Sequence, residues 1–582
     1  MTKRKNNKII ESKMKKQKCD FISASSIKNF MNNDPIIDFL SYWHINDLRQ
    51  NPDRNRIIKS SENSEFLNYL FDNGIKFEND IYEKIKEKHD VVQVFKNIND
   101  LNVENYELTK KYINEGKNII YQGVLYNNNN NTYGVADLLV RSDYINILVP
   151  NTINTEEEKI NNKYYYFAID IKNSTIELNK DGLYVLNSKN LPFYKVQLLI
   201  YTEALSNILG VKVTKAFILG RKYHWGQINY ETNTFSKLGL IDYETIDFKY
   251  YDYLNDSLEW IKNVRTNGEK WKLLPKPSVE ELYPNMKNTS DLNYRNIKNE
   301  LANKIGELTQ IWNVGVKFRK TAHNNGIYSW KNNKCNSKTL GFKDNTSIGF
   351  IVDKIIKINR TKNKKIEPKK ISYNVNNWKV CPIDTLELYI DYETLTYNEK
   401  NYIFMIGIGY EDNGWKFKNF HLKELTNENM NLMIHEFWDF VKEILKQKGK
   451  SDSRFIHWTK AEPSQYYKCF DKLLYPYKNF IDLFDVFKKE PIVVKGAFGF
   501  SLKDIAKAMY NNKMINTCWS HIEKTSINCE NGQDAFIYGL KLYEQNNIIN
   551  DDNIILKSIR DYNEIDCKVM FEIITYLRNN HI

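Results

Sequence analysis

Apolar and polar residues follow one another in a way that predicts strands and helices in the first half of the chain. Residues 164–172 (Tyr-Tyr-Tyr-Phe-Ala-Ile-Asp-Ile-Lys) are aromatic and β-branched between polar loops, which is typical of a buried strand. Residues 133–141 predict a second strand, and residues 194–209 have the spacing of a helix. A helix over 64–89 and a short strand over 215–221 complete an α/β pattern.

Polar side chains interrupt these apolar runs at few positions. Because side chains alternate across a strand, Asp170 and Lys172 point to the same face, and the neighbouring strand contributes Asp137. On the helix, Gln197 and Tyr201 lie four residues apart and share a face. Together these groups would bind a divalent metal ion and a phosphate. The alternative is a surface ion pair between Asp170 and Lys172 on an edge strand.

The last third of the chain has a different order of predicted elements. Residues 386–394 (Leu-Glu-Leu-Tyr-Ile-Asp-Tyr-Glu-Thr) predict a strand on which Asp391 and Glu393 share a face. The pattern then predicts strands over 402–410 and 415–422, a helix over 428–446, a strand over 454–458 and a helix over 463–474.

A last long helix is predicted over residues 554–577. It contains Tyr562 and Asp566, which lie four residues apart and therefore share a face. Both would reach a metal site that includes Asp391 and Glu393. The alternative for this acidic pair is an ordinary acidic strand end.

Residues 266–380 predict a helical connector between these two regions. Within residues 308–330, an apolar helix, a Val-Gly-Val turn and a basic helix are similar to half of a helix-hairpin-helix element. Backbone amides at such a turn are unpaired donors that would bind a DNA phosphate. A plain helical connector is the alternative. The basic residues at 360–370 predict a flexible boundary.

Length and composition limit the classes of protein. A chain of 582 residues is too long for one ordinary core, so two or three domains are expected. Its net charge of +12 favours a polyanionic partner, although solubility alone would also explain it. The seven cysteines include no Cys-x-x-Cys pair, so we expect no zinc, no disulfide framework and a reducing compartment. We expect no membrane partner, because no apolar run has the length of a membrane span.

The motifs of the first half resemble the RecB-type branch of the PD-(D/E)XK nuclease superfamily. The family's first Asp falls on Asp137, its Asp-x-Lys on Asp170 and Lys172, and its Gln-x-x-x-Tyr on Gln197 and Tyr201. An upstream glutamate of the family falls on Glu78, which follows Gly74 on the predicted helix. The resemblance implies that Asp137, Asp170 and Glu78 hold a metal ion and that Lys172 positions water or balances charge on the phosphate.

The motifs of the last third resemble the DEDD 3′–5′ exonucleases of the tyrosine subtype, whose core is RNase H-like. The first motif falls on Asp391 and Glu393, and the last on Tyr562 and Asp566. The chain departs from the family at the middle acid. There it offers Glu462, which we choose over the two aspartates at 482 and 485. The resemblance implies that the four acids bridge two Mg²⁺ or Mn²⁺ ions and that Tyr562 orients the attacking water.

The whole chain resembles predicted RecB-family nucleases that fuse these two domains, and a large DNA virus is one source compatible with it. The expected architecture is an α/β (α+β) multidomain protein with a disordered basic tail over 1–19, a PD-(D/E)XK domain over 20–265, a connector over 266–380 and an RNase H-like domain over 381–582. The four mutually repelling acids of the second centre predict dependence on Mg²⁺ or Mn²⁺. Some relatives carry an iron–sulfur cluster, but the cysteine spacing here does not support one.

The expected function is metal-dependent hydrolysis of phosphodiester bonds, with DNA favoured over RNA as the substrate. A nucleic-acid-binding scaffold with one or both centres inactive is the alternative. Because the sequence has no Gly-x-x-x-x-Gly-Lys-Ser/Thr motif, unwinding would need a partner helicase. The expected location is the cytoplasm or nucleus, or a viral factory if the chain is viral.

Overall fold

The computed structural model divides the chain into two units, residues 1–305 and 306–582. Both units combine helices with a mixed sheet, which confirms the predicted α/β multidomain fold class. Among the residues described, no helix is both long and apolar enough to cross a bilayer. The predicted tail over 1–19 lies outside the residues that the structure describes, which are 21–44, 65–95, 101–291, 294–398, 400–470, 479–519, 529–545 and 549–582.

One mixed sheet organises the first unit. Across it the strands follow the order β10-β8-β7-β4-β3-β2, with β1 beside β4 and β9 beside β8. Strands β7 and β8 run parallel to each other, whereas β4 runs antiparallel to both of its neighbours, β3 and β7. The short strands β5 and β6 form a separate hairpin. The bounds are β1 (Ile22–Ser23), β2 (Val91–Gln93), β3 (Ile119–Asn127), β4 (Thr132–Arg141), β5 (Lys159–Ile160), β6 (Lys163–Tyr164), β7 (Tyr166–Leu178), β8 (Lys215–Trp225), β9 (Asn229–Glu231) and β10 (Gly239–Asp242).

Helices cover both faces of this sheet. Leu198 and Leu258 come from helices α6 and α7 and belong to the core on one face, whereas Ile81 and Ile85 come from α3 and pack on the other. Because both faces are covered, β7 reads as a continuous apolar run, as its sequence predicts. The bounds are α1 (Lys28–Met31), α2 (Ile36–Phe39), α3 (Glu65–Lys86), α4 (Val103–Asn114), α5 (Ile145–Leu148), α6 (Leu191–Leu209), α7 (Tyr250–Asn267) and α8 (Arg295–Ile305).

The second unit contains a five-stranded sheet in the order β14-β13-β12-β15-β16. Strands β12, β13 and β14 form an antiparallel meander, and β15 and β16 then add in parallel. Strands β11 and β17 pair separately. The bounds are β11 (Ile366–Glu367), β12 (Thr385–Tyr397), β13 (Lys400–Glu411), β14 (Trp415–His421), β15 (Asp452–His457), β16 (Phe480–Asp482) and β17 (Val493–Val494).

The helices of the second unit include the three that the pattern predicts over 428–446, 463–474 and 554–577, but the second of these ends at residue 469, and residues 471–474 lie outside the described part of the chain. The long last helix, α17, packs its apolar face, including Val569, Ile573 and Leu577, into the core of the unit. The bounds are α9 (Val316–Asn324), α10 (Ser337–Leu340), α11 (Ser347–Arg360), α12 (Asn427–Gln447), α13 (Ala461–Cys469), α14 (Leu483–Lys489), α15 (Leu502–Asn511), α16 (Gly532–Gln545) and α17 (Ile554–His581).

The region predicted as one connector, 266–380, does not form a separate unit. Leu282 and Leu301 belong to the core of the first unit, whereas Leu308 and Ile355 belong to the core of the second. The boundary therefore lies at residues 305 and 306, because the apolar residues on its two sides are buried in different cores.

The predicted apolar helix before the Val-Gly-Val turn is not formed. Between residues 308 and 315 the regular structure is a single 3-10 turn, Leu308–Gln310, and helix α9 follows. Asn313 has a φ of 57°, a left-handed conformation that a right-handed helix does not tolerate. Of the two helices that the helix-hairpin-helix interpretation of residues 308–330 requires, the structure therefore contains the basic second helix and not the first.

A largely buried ion-pair network joins the last helix of the second unit to its sheet. Glu387 on β12 accepts hydrogen bonds from Arg454 Nε on β15 at 2.7 Å and from Arg578 Nη1 on α17 at 2.6 Å. Burial raises the pKa of Glu387, but hydrogen bonding and charge from both arginines outweigh it and hold the pKa below its ordinary value. This network holds the strand that carries Asp391 against the helix that carries Asp566.

We expect Glu387→Gln to destabilise the second unit by about 3 kcal/mol at neutral pH, because it leaves the buried guanidinium group of Arg454 and the half-buried one of Arg578 without a carboxylate. The pKa of Glu387 is lowered on folding, so its contribution is present above the ordinary glutamate pKa and is lost as the pH falls through the folded value. The difference between variant and wild type should therefore shrink in acid. Urea unfolding at a series of pH values measures it.

Glu443→Gln is the matched control, because Glu443 is an exposed glutamate on α12. Its free energy of unfolding should stay within about 0.5 kcal/mol of wild type. A Glu387→Gln effect no larger than that would contradict the assigned role of the network.

Candidate metal centres

The first candidate centre lies where two strands of the first unit separate. Strands β4 and β7 pair over Leu138–Arg141 and Tyr166–Ile169, and the pairing ends there. One residue beyond it, Asp137 Oδ2 accepts a hydrogen bond from the backbone N–H of Ile171 at 2.7 Å. Lys172 Nζ lies 2.6 Å from Asp170 Oδ2. The structure therefore brings together the two aspartates and the lysine that the sequence selects.

Glu78 reaches the same region from helix α3. Its Oε1 accepts hydrogen bonds from Tyr121 Oη at 3.1 Å and from Gln122 Nε2 at 2.9 Å. The backbone of Gln122 is left-handed, with a φ of 52°, and the register of β3 against β4 skips this residue. Sequence reasoning did not select Gln122, because a local bend in a strand leaves no signal in the hydrophobic pattern.

Gln197 and Tyr201 support the first centre from helix α6. Gln197 Nε2 donates a hydrogen bond to Tyr201 Oη at 3.0 Å, and the Tyr201 side chain is buried. A Cβ on Gly134 would lie 2.6 Å from the Tyr201 ring, so this strand position must be glycine to admit the tyrosine. Tyr201 therefore packs against the strand that carries Asp137, and Gln197 donates a hydrogen bond to its hydroxyl.

Lys172 offsets part of the negative charge in the first centre. Burial and the neighbouring carboxylate of Asp170 raise the pKa of Asp137 well above its ordinary value. Burial alone would lower the pKa of Lys172, but Asp170 and Asp137 together raise it. Lys172 therefore stays protonated and offsets part of the repulsion between the carboxylates.

The second candidate centre is a tighter group of carboxylates. Asp391 and Glu393 lie on β12 and Asp566 on α17, and one oxygen atom from each lies within 4.8 Å of the others. Among the residues described, this is the group of acidic, histidine and cysteine side chains with the spacing of a metal site. The carboxylates of Glu78, Asp137 and Asp170 do not meet that spacing.

Burial and mutual repulsion favour the protonated forms of these acids. The pKa of Glu393 is raised to about 8, first by burial and then by the charge of Asp566. Burial raises the pKa of Asp566 to about 6, against the opposing effect of the nearby Lys503. Burial, followed by Asp566 and Glu393, also raises the pKa of Asp391. A cation bound among the three oxygens would reverse these shifts.

An amide that sequence reasoning missed joins two of the acids. Asn563 Nδ2 donates to Asp391 Oδ2 at 2.7 Å and to Glu393 Oε1 at 3.2 Å. Asn563 lies next to Tyr562 on α17 and is fully buried. A Cβ on Gly407 of β13 would lie 1.7 Å from Asn563 Oδ1, so this glycine makes room for the amide. Spacing on the helix alone does not distinguish Asn563 from a core residue.

Tyr562 lies beside the acids, on the helix that carries Asp566. Its pKa is raised by burial and then by the charges of Asp566, Glu393 and Asp391, so the phenol stays protonated. Lys503 on α15 places its Nζ 4.8 Å from the centre of the Tyr562 ring and donates to the carbonyl of Glu530 at 2.5 Å. Sequence reasoning also missed Lys503, because it lies 59 residues before Tyr562 in the chain and on another helix.

Glu462, the proposed middle acid, lies in the first turn of α13 and is buried. Its charge contributes to the raised pKa of Asp391, but it is outside the group of three closely spaced acids. Its Oε2 instead lies 3.3 Å from Nδ1 of His457. The rejected alternative, Asp482, caps α14 by accepting hydrogen bonds from backbone amides, including that of Phe484 at 2.9 Å.

Trp519 completes the surroundings of Asp566. Its indole N–H donates to Asp566 Oδ1 at 2.9 Å. The second centre therefore combines carboxylate oxygens with N–H donors from Trp519 and Asn563 that fix their positions.

Neither the protein-family models nor the curated proteins with which we compared the chain gave a match.

We expect the metal-free second unit to lose thermal stability as the pH rises from about 6 to about 8. The pKa values of Asp566 and Glu393 are raised on folding, so over this range the folded state binds more protons than the unfolded state. Added Mg²⁺ should raise the melting temperature more at the upper end of the range, where the carboxylates are ionised. Thermal unfolding in EDTA and in Mg²⁺ across the pH range measures both effects.

Glu393→Gln should flatten the dependence in EDTA, whereas the exposed control Glu443→Gln should leave it unchanged. A melting temperature that rises with pH in EDTA would contradict the assignment.

We expect Gly407→Ala and Asn563→Ala each to weaken Mn²⁺ binding by about ten- to a hundredfold, because both remove the amide that orients Asp391 and Glu393. Because they act on the same contact, the double variant should bind no more weakly than the worse single variant. Titration of free Mn²⁺ by electron paramagnetic resonance measures the affinity.

Gly532→Ala is the control, since a Cβ there meets nothing within 4 Å. Additive losses in the double variant would show that Gly407 and Asn563 act separately.

Proposed function

We propose that the chain is a divalent-metal-dependent nuclease that hydrolyses phosphodiester bonds. The observation that carries this proposal is the group of buried carboxylates formed by Asp391, Glu393 and Asp566, with oxygen atoms within 4.8 Å of one another. Their repulsion disfavours the folded state without a counter-ion, so a fold that keeps them together is suited to binding cations. DNA is the favoured substrate and RNA the second.

The ligand atoms of this group fit Mg²⁺ or Mn²⁺, which prefer carboxylate oxygen. Bound divalent ions would supply charge stabilisation for the phosphate and an activated water. Glu462, one of the acids that raise the pKa of Asp391, is the side chain available to extend the ligand set.

The other side chains of this centre have distinct proposed roles. The protonated hydroxyl of Tyr562 would orient the attacking water or a phosphate oxygen by hydrogen bonding. Lys503 places a positive charge beside Tyr562, where it would stabilise negative charge that develops on the phosphate. Asn563 would hold Asp391 and Glu393 in position, because its amide donates to both.

The sheet of the second unit supports the RNase H-like interpretation. Its antiparallel meander followed by parallel strands, in the order β14-β13-β12-β15-β16, places Asp391 and Glu393 on the central strand. Helix α17 brings the Tyr-x-x-x-Asp motif beside that strand. These features support assignment to the DEDD exonucleases of the tyrosine subtype, which act from the 3′ end.

The first unit is proposed as a second hydrolytic centre of the PD-(D/E)XK type. Asp137 and Asp170 would hold a metal ion, with Glu78 at the edge of the site. Lys172, which stays protonated, would contact the phosphate or the attacking water. The hydrogen bond that the Ile171 N–H donates to Asp137 and the ion pair of Lys172 with Asp170 support this arrangement.

We expect the wild-type protein to cleave end-labelled single-stranded DNA in Mg²⁺ or Mn²⁺ and not in EDTA. Asp391→Asn should abolish the ladder produced from the 3′ end, lowering its rate by more than about a hundredfold, because it removes a metal ligand. Asp170→Asn should remove the remaining cleavage. Gel analysis of 5′-labelled and 3′-labelled DNA and RNA separates the two activities.

Asp439→Asn is the matched control, because it changes an exposed aspartate that pairs with the exposed Lys442 on the same helix. Cleavage by Asp439→Asn should equal that of the wild type. Binding without cleavage by the wild type in either metal would overturn the enzyme proposal and favour the nucleic-acid-binding scaffold.

A further inference from the structure

One internal stretch of this protein has a large excess of positive charge. Residues 311–370, here called the basic module, contain 15 of the 84 Lys and Arg residues but only three of the 72 Asp and Glu residues. The rest of the chain therefore has 69 of each sign, and the module alone accounts for the net charge of +12. A uniformly solubilising surface would not have this distribution.

The module presents most of this charge to solvent. Twelve of its lysines are exposed, at positions 317, 320, 331, 334, 338, 343, 357, 362, 364, 365, 369 and 370. Two of its three acids are engaged within the module: Asp353 accepts hydrogen bonds from Ser337, and Glu367 pairs with Lys364. The remaining acid, Asp344, cannot offset twelve lysines, so the surface carries a strong positive potential.

The module is an ordered element and not a charged tail. Helices α9, α10 and α11 pack through Phe318, which stacks on Phe342 at 4.1 Å, and through the buried Ile351 and Ile355. The basic residues at 360–370, predicted as a flexible boundary, include strand β11, which pairs with β17. Their positive charges are therefore held at fixed places.

Aromatic rings lie among the exposed lysines. Phe350 at the start of α11 is 56% exposed, and Lys354 Nζ lies 4.8 Å from its ring centre. Tyr328, between α9 and α10, is 38% exposed. Exposed aromatic rings among cationic side chains are the combination that binds unpaired bases together with their phosphates.

The module is attached to the segment that leads to the second centre. Trp312 donates its backbone N–H to the carbonyl of Phe498 at 2.7 Å, and Asn359 Nδ2 donates to the carbonyl of Ala497 at 3.0 Å. Helix α15 begins four residues after Phe498 and carries Lys503, beside Tyr562. A ligand bound to the module would thus be held at a fixed place relative to the second centre.

We propose that the basic module is a binding site for the backbone of single-stranded nucleic acid, which it holds for the centre formed by Asp391, Glu393 and Asp566. Exposed lysines contact phosphates and Phe350 stacks on a base. The inference rests on the proposed function for the identity of the polymer, but the binding itself requires no catalysis.

The test uses the full-length protein and a fluorescent single-stranded DNA of about 30 nucleotides, in EDTA so that cleavage does not interfere. Fluorescence anisotropy over a series of KCl concentrations gives the slope of log affinity against log salt. The module variant replaces four exposed lysines by glutamine: Lys317→Gln, Lys320→Gln, Lys338→Gln and Lys343→Gln. Loss of four phosphate contacts should reduce the slope by about 3 and lower the affinity at least tenfold at low salt.

The control variant removes the same total charge from exposed lysines elsewhere in the second unit: Lys416→Gln, Lys423→Gln, Lys446→Gln and Lys468→Gln. Its slope should change by less than about 1. Phe350→Ser should lower the affinity without changing the slope, because it removes stacking and no charge. Circular dichroism and melting curves that match wild type would exclude unfolding as the cause.

Equal losses in the module and control variants would overturn the proposal, because they would show a general charge effect. Unchanged DNA binding by the module variant would also overturn the proposal. An acidic protein would then be the remaining candidate partner for the basic module. Failure of the proposed function is a separate result. A wild type that binds DNA through the module but never cleaves it in Mg²⁺ or Mn²⁺ would support the binding role of the module and overturn the proposed nuclease activity.

Discussion

Repulsion among buried carboxylates is the constraint on which the second unit depends. Three acids with oxygen atoms within 4.8 Å of one another would move apart if their backbones were free to shift. Two of them are fixed by the central strand β12, and the third is fixed by helix α17. Glu387, Arg454 and Arg578 join the same strand and helix through a second, attractive set of charges. The network thus opposes the separation that the acids favour.

The two candidate centres differ in how the negative charge of their carboxylates is offset. In the first, Lys172 lies 2.6 Å from Asp170 and supplies a resident cation. In the second, Lys503 lies near the acids but donates to the carbonyl of Glu530, and Asn563 contributes only neutral N–H donors. The first centre is therefore closer to neutral without a metal ion than the second is.

Much of the architecture could be predicted from the sequence because it depends on local pattern. The run that contains Asp170 has strand character, and Tyr562 and Asp566 share a helical face, whatever the rest of the chain does. The residues that were missed depend on contacts between distant segments. Lys503 reaches Tyr562 from another helix, and Asn563 matters because Gly407 on β13 leaves room for it. The helix predicted before α9 is not formed, and the left-handed backbone of Asn313 in that segment leaves no signal in the hydrophobic pattern.

The ion pair between Lys172 and Asp170 also bears on how the two centres would persist through evolution. Removing one partner of this pair would leave the buried Asp170 or the half-buried Lys172 without its counter-charge, so the pair would favour folding even in a lineage that no longer cleaved nucleic acid. The acids of the second centre have no such protection. Without a ligand they oppose folding, and replacing one of them by a neutral residue would relieve strain. Stability alone therefore does not favour the three acids of the second unit, whereas it does favour the Asp-x-Lys ion pair of the first unit.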